Sequence, residues 1–335
     1  MKRFILVLVL GISVLGGEKI DKDEIKKFKA LLGPFVKPVK VDQKWLKDAE
    51  KKIKLGRVLF YDNRLNDQNV SCNSCHDLTK YGTNGEYYLK QFKAGKIIRD
   101  VPALFNKSNL MMYDWVGGTK SLEDKIESSL FAKTELAVDK DKLILKLKQS
   151  EEYSKLFKEA FPNDKEALSL KNVKTALAEF IRGLIAPSPL DEFLSGKDDA
   201  LTKDQLKGGK LFDEKMCSAC HTGRNFGGQM RQKLGMIEKW PNQKDLGYYH
   251  VKKDPRLKMT FRVSPLRNVA KTGPYFHDRT SKDLTGAIIK MARYELGKFM
   301  SFRDAVYITE FLESLTGKIP QDYIKKPTLP KMSGK

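Results

Sequence analysis

Cys-x-x-Cys-His occurs twice in this chain, as Cys72-Asn73-Ser74-Cys75-His76 and as Cys217-Ser218-Ala219-Cys220-His221. The two motifs use every cysteine present and two of the four histidines. Nothing else in the sequence constrains the fold as strongly. Such a cysteine pair can be a dithiol redox switch, part of a zinc site, or the attachment point of a c-type haem, whose iron the adjacent histidine binds. A zinc site would have to draw both motifs into one four-coordinate centre and crowd out the histidines. A dithiol switch has no use for the histidine. Two complete copies favour two covalently bound haem c groups. Each haem is a large apolar disc, so each motif needs an apolar pocket that the cofactor completes.

The compartment agrees. Residues 1–17, MKRFILVLVLGISVLGG, place Lys2 and Arg3 before an apolar run that ends in Gly16 and Gly17. This is the pattern of a secretory signal peptide, too short for a comfortable membrane span. The expected location is periplasmic. The formal net charge is +21, but the lysines are scattered, which reads as a lysine-rich background rather than a nucleic-acid site.

LGRVLFYDNRLNDQNVSCNSCH and LKGGKLFDEKMCSACH resemble each other: Gly56 with Leu59-Phe60 corresponds to Gly208 with Leu211-Phe212, each ahead of a motif. This weak repeat implies two similar domains. Apolar residues at three- and four-residue spacing predict helices over 121–131, 140–149, 150–161, 171–185, 281–299 and 301–316. Ser281 and Ser301 are expected N-caps, and Gly317 with Pro320 a helix stop. Pro187 and Pro189 suggest a connection between domains. The expectation is an all-α fold of two cytochrome c-like haem domains with long loops: signal 1–17, first domain 18–186, second domain with a C-terminal tail 187–335.

From about Leu55 to Pro320 the chain resembles the bacterial di-haem cytochrome c peroxidases and their MauG-like relatives. The resemblance is carried by LGRVLFYDNRLN…SCNSCH, by DLGYYHVKKDPRLKMTFRVSPLRNVAKTGPYFHD and by MARYELGKFMSFRDAVYITEFLESLTG. It implies a low-potential, peroxide-reducing haem at the first motif and a high-potential haem at the second. It also implies hydrogen peroxide as substrate and a small electron-donor protein, a cytochrome c or similar, as partner. It leaves room for a homodimer.

The resemblance further assigns residues. Met291 falls where the family places the second ligand of the His221 iron, and His/Met ligation raises potential. MauG-like members use a tyrosine there, so methionine favours the peroxidase branch, with Tyr294 one turn further on. Glu135 falls at the catalytic glutamate, with Lys125 where the family has glutamine. Trp115 corresponds to a tryptophan between the haems. Asp100, Thr272 and Pro274 match the ligands of a calcium ion. His277 belongs to the family block and is expected near a haem edge or the interface, whereas His250 reads as surface or packing. No histidine lies between His76 and His221. Phe92 stands near the place of the histidine that caps the first iron in many members, and the nearest other soft ligands are Met111 and Met112. The expectation is therefore an open first iron. Two other readings stand beside the peroxidase: a MauG-like oxidase of a partner protein, opposed by Met291, and a non-catalytic di-haem electron carrier, opposed by Glu135.

Overall fold

The computed structural model describes residues 20–33, 36–84, 99–108 and 110–332; the signal-like segment and Phe92 lie outside them. Helices dominate. Before the first motif come α1 (Lys22–Leu32), α2 (Gln43–Asp48) and α3 (Glu50–Tyr61). The motif itself forms α4 (Cys72–Cys75), followed by α5 (Leu122–Phe131), α6 (Lys140–Lys148), α7 (Glu151–Ala160) and α8 (Leu170–Arg182). Next, α9 (Pro189–Leu194) and α10 (Lys203–Glu214) lead to the second motif. Beyond it lie α11 (Tyr249–Lys252), α12 (Leu284–Leu296), α13 (Phe302–Glu313) and α14 (Gln321–Ile324). Among the described residues the strands are β1 (Arg231–Lys233) and β2 (Thr260–Arg262), an antiparallel pair with Gln232 opposite Phe261.

The weak sequence repeat is a repeated helix crossing. At Gly56 on α3, a Cβ atom would lie 1.9 Å from the Ala176 carbonyl oxygen of α8; at Gly208 on α10, it would lie 1.8 Å from the Tyr307 carbonyl oxygen of α13. Both positions need glycine because backbone meets backbone there. One turn later, Phe60 packs on Phe180 with ring centroids 5.3 Å apart, and Phe212 packs on Phe311 at 5.5 Å. Each crossing seeds an apolar core. The first gathers Phe60, Leu147, Phe157 and Phe180; the second gathers Phe28, Phe193, Phe212 and Phe311.

Both ends of the chain depart from the expected linear division at residue 187. Helix α1 belongs to the second core: Phe28 meets Phe193 and Phe311, and Lys210 pairs with Glu24 at 2.6 Å. The C-terminal segment returns to the first core. Tyr323 stacks on Phe180 with centroids 5.4 Å apart, and its hydroxyl donates to the Phe180 carbonyl at 2.9 Å. Each lobe is thus strapped by a terminus that sequence order would assign to the other.

The caps show why the helices begin where they do. Ser121, Ser150, Ser169 and Ser301 each accept a backbone N–H of the first turn. Asp283, rather than Ser281, caps α12, because Asp283 Oδ1 accepts from Gly286 N–H at 2.7 Å while the Ser281 hydroxyl donates to the Asp283 carbonyl. Gly317 is not a helix stop: α13 ends at Glu313, and Gly317 lies where a Cβ would come 2.1 Å from the Ala186 carbonyl. The connection at 187–189 is packed, with Pro189 opening α9 and the Asn106 amide clamping both backbone groups of Ala186 at 2.9 Å.

Candidate active site

The first motif sits on one turn of helix closed by a capping box between Ser71 and Ser74, and His76 N–H bonds the Cys72 carbonyl at 2.8 Å. That turn brings both thiols and the imidazole to the wall of one cavity of about 520 Å³, a size suited to a bound cofactor. Nδ1 of His76 donates to the Gly82 carbonyl at 2.8 Å. This bond selects the tautomer and leaves Nε2 as a free ligand atom. Burial pulls the imidazole pKa down, so the ring is neutral. Burial also pushes the Cys72 thiol up to about 12 and Cys75 to about 11. Dithiol switches work the other way, through a cysteine with a lowered pKa. The pair is chemically suited to attachment rather than to exchange.

Glu135 lines the same cavity. It stands on the turn after α5, where Val138 N–H bonds back to the Leu130 carbonyl at 2.7 Å. Burial raises its carboxyl pKa, but the Lys125 ammonium and the Ser129 hydroxyl outweigh burial and hold it below the usual glutamate range. Lys125 Nζ lies 3.0 Å from Oε1. The result is an ionised carboxylate at the wall that carries His76, able to take up and return a proton. Neither Met111 nor Met112 is among the cavity's lining residues; Met111 is exposed, and the Met112 sulfur packs toward Gly117.

Three cations also line the cavity: Arg262 and Arg267, both buried, and the partly buried Lys107. Arg267 Nη1 pairs with Asp191 at 2.9 Å and Arg262 Nε donates to the Asp114 carbonyl at 2.6 Å, yet Nη2 of Arg267 and Nη1 of Arg262 have no hydrogen-bond partner. Burial and the two neighbouring guanidiniums pull the Lys107 ammonium down to about 7. Buried, unpaired donors of like charge call for an anion between them. A haem carries two carboxylates, so one cavity offers thiols and an imidazole together with donors for carboxylates. The residues fit the cofactor. The sequence does not single out these cations; Arg262 and Arg267 share the block FRVSPLRN, and Lys107 lies far from it in LFNKSNL.

The second motif is built alike. His221 N–H bonds the Cys217 carbonyl at 3.0 Å, and Nδ1 faces the carbonyls of Phe226 and Ser264 at 3.2 and 3.1 Å. Burial lowers its pKa and raises that of Cys217 to about 11. Cys217 packs against the second core with Leu211 and Leu266. Met291 is partly buried on α12. Tyr294, on the same helix, packs edge-on to Trp240 at 5.0 Å, in a third small core with Met259 and Phe261. Among the described residues no group of three or more His, Cys, Asp or Glu side chains converges as a metal site, so the two motifs do not form one zinc centre.

Between the lobes, Trp115 lines the cavity and donates Nε1–H to the Asp100 carbonyl at 2.6 Å. His277 is buried, stacked on Phe261 at 4.3 Å, and its carbonyl accepts from Asp100 N–H. His250, expected at the surface or in packing, lines the cavity as well, and its Nε2 accepts Leu246 N–H at 3.1 Å. Asp100, Thr272 and Pro274 do come together at the cavity. Oδ1 of Asp100 has no hydrogen-bond partner, which taken alone would suit a cation. The guanidinium of Arg279, however, faces the same oxygen at 3.6 Å. A carboxylate already facing a fixed positive charge is a poor anchor for Ca²⁺, and the calcium expected from the resemblance does not fit this donor set.

Two Cys-x-x-Cys-His turns, each beside its own helical core and each with a neutral, oriented imidazole, suit a di-haem redox protein. A family model described as di-haem cytochrome c peroxidase matches residues 50–199. The chain is 34% identical to the cytochrome c551 peroxidase of Pseudomonas aeruginosa, over 84% of this chain and 83% of that protein. It is also 34% identical to the cytochrome c peroxidase Ccp of Escherichia coli, over 83% of this chain and 60% of that longer protein. A solved MauG-like protein associated with microbial copper homeostasis shares the fold, with a TM-score of 0.71 at 22% identity, over 88% of this chain and 97% of that one. The chain belongs to the di-haem cytochrome c peroxidase family.

Proposed function

We propose that this chain is an exported, periplasmic peroxidase that reduces hydrogen peroxide to water with electrons from a small redox carrier such as a cytochrome c. The observation that carries the reading is the shared wall of Glu135 and the Cys72-Cys75-His76 turn in one cavity. When bound, the haems supply the redox equivalents and the open iron position at which peroxide reacts. The division is one haem c per lobe, held by Cys72 and Cys75 in the first and by Cys217 and Cys220 in the second. His76 and His221 present Nε2 to the irons, and Met291 supplies the second ligand in the second lobe. Lys107, Arg262 and Arg267 hold haem carboxylates.

Glu135, ionised and held by Lys125, takes the proton from the inner oxygen of peroxide and returns it to the outer oxygen, which leaves as water. Such proton transfer contributes typically ~10²–10⁴-fold in rate. Trp115 lies between the lobes on the path of the electrons. Calcium has no part in this reading.

No histidine stands between the two motifs, so no histidine of that stretch has to leave the first iron, and in this reading the fully oxidised enzyme reacts with peroxide directly. Mixing the oxidised protein with peroxide in a stopped-flow spectrometer tests both claims. The expected result is rapid spectral change in the wild type and a rate lower by ~10²-fold or more in Glu135→Gln. A wild type that stays inert until one electron is added would show that another group caps the iron.

A further inference from the structure

Residues 99 and 100 carry opposite charges, and each reaches a different loop of the second half of the chain. Arg99 forms a two-pronged pair with Asp245, Nε to Oδ2 at 2.6 Å and Nη2 to Oδ1 at 2.9 Å. Asp100 faces Arg279, Nε to Oδ1 at 3.6 Å, with side chains only 7% and 12% exposed. Arg279 holds φ at +59°, a conformation rare for residues other than glycine and asparagine. An arginine is therefore kept in a left-handed turn with its guanidinium directed at a buried carboxylate. That carboxylate is the one acidic side chain among the three residues at which calcium was expected.

We infer that Arg279 is the resident cation of this site: its guanidinium stands in for a calcium ion, and the lobes are clasped by the crossed pairs Arg99–Asp245 and Arg279–Asp100. The reasoning is electrostatic. Calcium binds oxygen at about 2.3–2.6 Å, so an ion on Asp100 Oδ1 would lie within about 6 Å of the guanidinium. Arginine cannot shed its proton to make room. In this poorly solvated place the repulsion between +2 and +1 is weakly screened. The family's metal is replaced by a side chain that needs no loading.

The test uses the oxidised holoenzyme, stripped with EGTA and dialysed, and neither readout requires turnover of peroxide. Calorimetric titration with calcium chloride and thermal unfolding in EGTA or in millimolar calcium are run on wild type, Arg279→Gly, Arg279→Lys and the double variant Arg279→Gly/Asp100→Ala. Wild type and Arg279→Lys are expected to bind no calcium and to unfold at the same temperature in both buffers. Arg279→Gly, with the carboxylate freed and a glycine suited to the turn, is expected to bind one calcium and to gain at least about 2 °C in its presence. The double variant loses that gain. If Arg279→Gly folds poorly, Arg279→Gln removes the charge, keeps the bulk and is read the same way. The inference is overturned if wild type takes up one calcium that Asp100→Ala abolishes, or if the charge-removed variants neither bind calcium nor gain stability from it.

Discussion

Lys125 is the residue at which a departure from the family pattern becomes chemistry. Its ammonium sits 3.0 Å from Glu135 and, with the Ser129 hydroxyl, overcomes the effect of burial on that carboxyl. The sign follows. With Lys125 present, Glu135 is ionised down to a pH below the ordinary glutamate range, and the base stays competent there. Lys125→Met leaves burial to dominate, and the carboxyl pKa rises. The acid limb of kcat/KM against pH should therefore shift to higher pH, with the plateau at neutral to alkaline pH reduced much less. An acid limb that does not move would remove Glu135 as the titrating base. The identity of Glu135 is visible in AKTELAV; its company is not, because Lys125 and Ser129 reach it across the turn that closes α5.

Among the elements, the two crossings α3–α8 and α10–α13 organise everything else. Each aims its following Cys-x-x-Cys-His turn at the core it has just built. The half-repeat Gly-x-x-Leu-Phe is legible in the sequence, and so are the helices on both sides, since their apolar spacing survives any packing partner. The partner is not legible: nothing local in α3 says that Gly56 will meet Ala176. Gly56→Ala places a methyl group 1.9 Å from a carbonyl oxygen, so the helices must separate. The expected cost is about 1–3 kcal/mol, measured by denaturant unfolding, with the first haem's spectrum altered before the second's. A variant as stable as wild type would mean that α8 can move aside freely.

The whole molecule is bound by its ends. Helix α1 closes the second lobe and the segment around Tyr323 closes the first, so neither half of the sequence is a complete lobe. Tyr323→Ala removes a stacked ring and a hydrogen bond to the Phe180 carbonyl. It should lower stability by about 2 kcal/mol, although residue 323 is far in sequence from the first motif. If unfolding followed at the second haem instead of the first, the tail would be a passenger rather than a strap. The same scale decides the fate of the lobe boundary, where Arg99, Asp100, Asp245 and Arg279 meet from three separate parts of the chain.

The sequence by itself determined the di-haem family and the helical class of fold. Cys-x-x-Cys-His is local, its donors lie within one helical turn, and helical spacing is a property of neighbours in the chain. Glu135, Trp115 and Asp100 could be proposed as site residues because family blocks preserve order along the chain, and all three line one cavity. Only the tertiary structure brought Lys107, Arg262 and Arg267 to one cavity wall and exchanged the ends of the chain between lobes. It also set Arg279 against Asp100. Those facts depend on charge and backbone meeting across large sequence separations, where Coulomb forces and close packing act through space and leave no periodic trace in the order of residues.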